Sequence, residues 1–188
     1  MVMTHEEGRD LRWFINKLAG ELDWDFLQQV FPPIGEGLWR MHQEGVVHLD
    51  VKPANVLLRT SGQPLLLDFG AAQTMDNDNR FGSFQTLTHG FAPPEQYLDG
   101  NLGPWTDIYG LAATIYNCIT GHSPPPALKR RDGASLEKLT VSRSGAYPYT
   151  LLKVVEDALS LDQGQRPHDM HAFLSLAFGA SSHTPVKT

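Results

Sequence analysis

Residues 46–70 read VVHLDVKPANVLLRTSGQPLLLDFG. Two short apolar runs, Val56-Leu57-Leu58 and Leu65-Leu66-Leu67, flank Arg59-Thr60-Ser61-Gly62-Gln63-Pro64. Ser, Gly and Pro between apolar runs are turn formers, so the runs read as the two strands of a hairpin. Asn55 stands just before the first strand and Asp68 just after the second. Antiparallel pairing brings both to the same open end, on strands about 4.8 Å apart. An amide oxygen and a carboxylate that close can share a hard divalent cation that also holds phosphate oxygens. Asp50 lies five residues before Asn55, with Lys52 between them. Two carboxylates, an amide and an ammonium are expected at one spot, which is the inventory phosphoryl transfer needs.

The spelling H-x-D-x-K-P-x-N followed by D-F-G resembles the catalytic and metal-binding loops of protein kinases. The resemblance implies Asp50 as catalytic base and Lys52 as a contact to the γ-phosphate. It implies Asn55 and Asp68 as magnesium ligands and Leu57 as the floor of an adenine pocket. His48 would be a packing and hydrogen-bonding anchor without proton chemistry, and Phe69 and Gly70 complete the metal loop.

With 188 residues, the chain has enough material for one domain with a real core. Hydrophobic content of 41% and charged content of 19% mark globular material rather than a disordered tail. A formal charge of −6 gives no electrostatic reason to expect nucleic acid or an anionic membrane surface. Cys118, the single cysteine, sits in an apolar stretch and reads as a buried small residue. No run of 18 apolar residues and no basic-then-apolar leader is present, so a cytoplasmic setting is expected.

Outward from the hairpin, Leu11, Phe14, Ile15 and Leu18 fall at helical spacing before Gly20. By the kinase resemblance, residues 1–8 are a hinge-like segment, Met3 a gatekeeper, and Thr4 and Glu6 the backbone contacts to adenine. Pro32-Pro33 is expected to break the chain, with a helix from Ile34 to Gln43 that Gly45 ends. His42 on that helix reads as a surface or capped histidine. Residues 71–88, rich in Ser, Thr, Asp and Asn, read as a loop. Thr88-His89-Gly90-Phe91-Ala92-Pro93-Pro94-Glu95 resembles the end of a kinase activation segment, with Thr88 bonded to the catalytic Asp and Lys. Residues 105–121 are the most apolar stretch, expected to be a helix buried all round, with Thr106 as N-cap and Gly121 as its stop. The resemblance makes Asp107 a buried acceptor for backbone N–H groups of the catalytic loop. Lys129-Arg130-Arg131 reads as a solvated face. A helix is expected over residues 150–160 and another from His168 to Phe178. The resemblance pairs Arg166 with Glu95, and the tail after Gly179 reads as disordered.

These readings define a mainly α fold: a kinase-like C-terminal lobe over 9–178, a helical bundle around a buried central helix. A small β-hairpin carries the catalytic and metal loops. Within the 188 residues no G-x-G-x-x-G precedes a strand and no V-A-x-K strand is present, so the small lobe is expected to be absent. Leu49 stands where most kinases have the arginine that docks an activation-loop phosphate. The expected function is a truncated serine/threonine protein kinase segment that uses ATP and Mg²⁺ on a protein Ser or Thr. The alternative is a non-catalytic kinase-like module that binds a partner. Expected partners are a protein substrate and either a second copy or a small lobe, with no nucleic acid and no membrane. The P-P-E segment, the Asp107 helix and Arg166 argue against a small-molecule phosphotransferase.

Overall fold

The computed structural model describes residues 7–18, 22–75, 87–98 and 100–179. Met3, Thr4, Glu6 and the tail 180–188 lie outside the described residues, as do 76–86 of the activation segment. The chain opens with strand β1 (Gly8–Asp10) and helix α1 (Leu11–Lys17), capped by Asp10, whose side chain accepts from Trp13 N at 3.1 Å.

Helix α2 runs from Trp24 to Gln43 without a break, capped by Asp23. The expected break at Pro32-Pro33 is therefore corrected. Two interior prolines leave the carbonyls of Gln28 and Gln29 without helical donors, at a cost of about 3 kcal/mol per proline. Both glutamines are exposed, so water takes the place of the lost N–H groups. Leu27, Val30, Phe31, Ile34 and Leu38, all 3% exposed or less, hold the helix on the core side. At about 1.5–3 kcal/mol each, their burial outweighs the proline penalty.

Strand β2 (Val46–Val47) leads into the catalytic loop, a 3₁₀ turn over Pro53–Asn55, and strand β3 (Val56–Arg59). Strand β4 (Pro64–Leu66) pairs antiparallel with β3 in the register Val56↔Leu66, Leu57↔Leu65. The Arg59–Gln63 turn closes through Gly62, whose φ is 82°. On its other edge β3 takes β1, giving the order β1-β3-β4. Leu67 N donates to Asn55 O at 2.7 Å and extends the ladder to the hairpin's open end. After a 3₁₀ turn over Phe69–Ala71, strand β5 (Gln73–Thr74) returns antiparallel to β2.

Helix α3 (Pro94–Tyr97) precedes the central helix α4 (Pro104–Thr120). Fourteen of its 17 residues are buried, and it packs on α2, on α7 (Tyr149–Ala158) and on α8 (Met170–Phe178). Gly103, not Thr106, is its N-cap. Pro104 fills the first helical position, where the missing N–H costs nothing, and the Thr106 hydroxyl accepts from Gly103 N at 3.3 Å. Short helices α5 (Ala127–Arg131) and α6 (Leu139–Ser142) bridge α4 and α7. Arg130 is not simply solvated, since its Nη1 donates to Leu159 O at 2.7 Å. The last helix starts at Met170, capped by Asp169. Among the described residues no helix is long and apolar enough to cross a membrane.

Candidate active site

The open end of the hairpin brings four side chains within hydrogen-bond reach. Lys52 Nζ lies 2.6 Å from Asp50 Oδ2 and donates to Thr88 Oγ1 at 3.0 Å. The Thr88 hydroxyl donates to Asp50 Oδ1 at 3.3 Å. Asn55 Nδ2 donates to the Asp50 backbone carbonyl at 2.8 Å and to Oδ2 at 2.9 Å. Asp50 is thus fixed from three sides, by a cation, an amide and a hydroxyl. With its amide nitrogen turned to Asp50, Asn55 has a side-chain oxygen that accepts from no donor among the described residues.

Asp68 is left-handed at φ 63° and accepts from Gly70 N at 3.1 Å. A Cβ on Gly70 would meet Asp68 Oδ1 at 3.0 Å, so the glycine keeps this turn tight. Asp68 and Asp50 line one cavity of about 290 Å³. An amide oxygen and an exposed carboxylate are hard donors, which fits Mg²⁺ held by one or two carboxylates plus phosphate oxygens. Among the described residues no group of three or more His, Cys, Asp or Glu forms a metal cluster.

Beneath the loop, Asp107 takes three bonds. His48 N donates to its Oδ2 at 2.8 Å, Leu49 N to Oδ1 at 2.7 Å, and His42 Nε2 lies 2.8 Å from Oδ2. A carboxylate 1% exposed is tolerable only with such partners. Asp50 N donates to His48 Nδ1 at 3.3 Å, so His48 Nε2 carries the hydrogen given to Leu67 O at 3.2 Å. The His48 ring sits edge-on to Phe69, centroids 5.2 Å apart. Helix α4 approaches this loop so closely that a Cβ on Gly110 would lie 2.9 Å from Val51 O.

Arg166 grips Glu95 with both arms, Nη1 to Oε1 at 2.6 Å and Nη2 to Oε2 at 3.0 Å. It also donates to Trp105 O and Ser160 O. Leu57 is half-buried on β3. Cys118 is fully buried on α4, where burial pushes its thiol far above the ordinary value and removes it as a nucleophile.

Residues 1–175 match the family model described as the protein kinase domain. The chain belongs to the protein kinase family. It is 30% identical over 182 residues to the serine/threonine-protein kinase PknK of Mycobacterium tuberculosis, covering 89% of this chain and 16% of that protein. The serine/threonine-protein kinase PknL of the same organism is 34% identical over 125 residues, 66% of this chain and 31% of PknL. The solved structure titled "PpkA-294 apo form" superposes with a TM-score of 0.78 at 30% identity, covering 93% of this chain and 61% of that one. The chain therefore spans less than a third of the length of these curated relatives.

Two residues of this kinase site escaped the sequence reading. His42, read as a surface histidine, is 7% exposed and bonded to Asp107. Gln96 Nε2 donates to Leu49 O at 2.9 Å. The adjacency of Gln96 to P-P-E was the available signal for it. His42 had none, because its partner lies 65 residues away.

Proposed function

We propose that this chain is the large-lobe catalytic segment of a serine/threonine protein kinase, which transfers the γ-phosphate of ATP to a protein hydroxyl. The observation that carries the reading is the Asp50–Lys52–Asn55–Thr88 cluster, with Asp68 lining the same cavity as Asp50 and Thr88. In this reading the acceptor hydroxyl enters beside Asp50. Its oxygen attacks the γ-phosphorus, its proton passes to an Asp50 oxygen, and the bond to the β,γ-bridging oxygen breaks with ADP leaving. Lys52 offsets charge on the transferred group, and Thr88 keeps Lys52 and Asp50 in register. Asn55 Oδ1 and the Asp68 carboxylate would hold Mg²⁺, which supplies neutralisation of phosphate charge. An ATP-dependent reaction of this kind is set in the cytoplasm.

The 188 residues offer one side of a nucleotide site. Leu57, with the backbone of Thr4 and Glu6 beside Met3, is proposed to hold adenine, and the phosphates need a glycine-rich cover supplied by a small lobe. A second reading, a partner-binding module, is favoured by one observation: Phe69, next to Asp68 in the chain, is 54% exposed. Together with Leu57, Met1 and Met3 it would form an apolar patch on which a small lobe or a second copy docks.

The test is phosphate transfer from Mg-ATP to a Ser/Thr protein substrate, by the chain alone and by the chain joined to a glycine-rich small lobe. The joined protein is expected to turn over, the chain alone to turn over little, and Asp50→Asn to remove about 10²–10⁴-fold of the rate. A joined protein that binds Mg-ATP calorimetrically but transfers nothing would leave the partner-binding module as the function.

A further inference from the structure

A second cavity, about 490 Å³, shares Thr88 and Phe91 with the one at Asp50 and adds Lys52. The two cavities therefore adjoin at Thr88, whose hydroxyl bonds Asp50. One wall is α1, with Arg12 and Asn16, and the other is the end of α4 and its turn, with Asn117 and His122. Among the described residues no Asp or Glu lines it, in a chain with 21 acidic and 15 basic residues. Its ionisable lining is Arg12, Lys52 and His122.

Each of these groups has a carboxylate partner that is not itself among the described lining residues. Arg12 gives Nε and Nη2 to Asp10 Oδ2, at 3.3 and 2.6 Å, which leaves Nη1 outside that pair. His122 faces Glu137 at 3.4 Å, and Lys52 is held by Asp50. The Arg12 side chain is 61% exposed, so its pair with Asp10 is a weak surface pair that an incoming carboxylate can share. A lysine or arginine entering the groove finds no carboxylate among its described lining residues and meets Arg12.

We infer that the groove takes an acidic acceptor segment, one with Asp or Glu within a few residues of its Ser or Thr and no Lys or Arg there. The inference rests on the kinase reading for the identity of the acceptor, and its binding test does not depend on turnover. Three labelled serine-centred peptides, flanked by glutamate, alanine or lysine, are titrated with the 188-residue chain by fluorescence anisotropy at low salt. One exposed ion contact is worth a factor of about 1.4 to 5, so the glutamate peptide, attracted where the lysine peptide is repelled, should bind about 2- to 25-fold tighter. The gap should shrink as salt shortens the Debye length. Arg12→Glu should abolish or reverse the preference, Arg12→Gln should halve it or more, and Arg131→Glu on α5 should leave it intact.

Equal binding, lysine preference, no measurable binding of any peptide, or a preference that survives Arg12→Glu in a protein with native circular dichroism overturns the inference. Glutamate preference without phosphate transfer by the small-lobe-joined protein keeps the groove and removes the kinase reading. Transfer that favours lysine-flanked serine does the reverse.

Discussion

Leu49 is a bulky residue held at φ 68°, a left-handed backbone that costs about 1–3 kcal/mol. Its N–H is tied to Asp107 and its carbonyl to Gln96, so the strain is carried by α4 and α3, and Asp50 is aimed by it. Asp107→Asn would turn an amide NH₂ toward a backbone N–H and leave a buried donor unmade. It should cost about 1–3 kcal/mol, seen as a lowered Tm, and reduce transfer by the small-lobe-joined protein. An unchanged Tm would contradict the clamp. Leu49 also puts no guanidinium beside Asp50, where a phosphate on Ser83 or Thr86 would add about −1.5 to −2 charge. Both residues lie outside the described ones. Replacing both by Ala should leave most of the turnover, and a collapse would show that another cation receives a phosphate. At this scale Asp50, Lys52, Asn55 and Asp68 are legible because one short motif and one hairpin hold them. Thr88 needs the P-P-E segment to be placed. His42 was not legible, because its partner lies 65 residues away, whereas Gln96, bonded 47 residues away, had only its adjacency to P-P-E as a signal.

Among the elements, α4 was legible as a helix from its apolar run, but its cap was not. Pro104 and Gly103 set the start through local backbone geometry, whereas Thr106 only resembles a cap. In α2 the Pro-Pro pair misleads, because local propensity predicts a break that packing overrides. The edge strand β1 had no signal of its own in three residues. Two glycines separate propensity from packing. Gly37 on α2 is exposed with nothing within 4 Å of a new Cβ, so Gly37→Ala should stabilise by about 0.5–1 kcal/mol. Gly110→Ala carries the same propensity gain but drives a methyl into Val51 O at 2.9 Å. It should destabilise by about 1–3 kcal/mol and disturb Asp50. Urea denaturation of both variants checks this, and a stabilised Gly110→Ala would show that α4 and the catalytic loop are not in close contact. Between α3 and the turn before α8, the Glu95–Arg166 pair is buried and bidentate. Arg166→Ala strands a buried carboxylate and should cost about 3–5 kcal/mol, against a change within about 0.5 kcal/mol for exposed Arg131→Ala. Equal melting temperatures for the two would mean the pair contributes nothing.

For the molecule as a whole, α4 packs against α2, α7 and α8, and most of the apolar residues of the four helices are buried, with Tyr149 and Leu176 exposed. The open end of the hairpin gathers Asp50, Lys52, Asn55 and Thr88, with Phe69 exposed nearby. Phosphoryl transfer is mostly positioning and electrostatics, and a misplacement of about 1 Å can already cost about 10²-fold. The 188 residues should therefore fold by themselves and bind nucleotide weakly. Titration calorimetry of the purified chain with Mg-ATP tests this most directly, with circular dichroism to establish the helical fold. The account predicts a stable helical protein with no binding in the micromolar range. Micromolar binding, together with turnover that vanishes in Asp50→Asn, would contradict it and make this chain a complete minimal kinase.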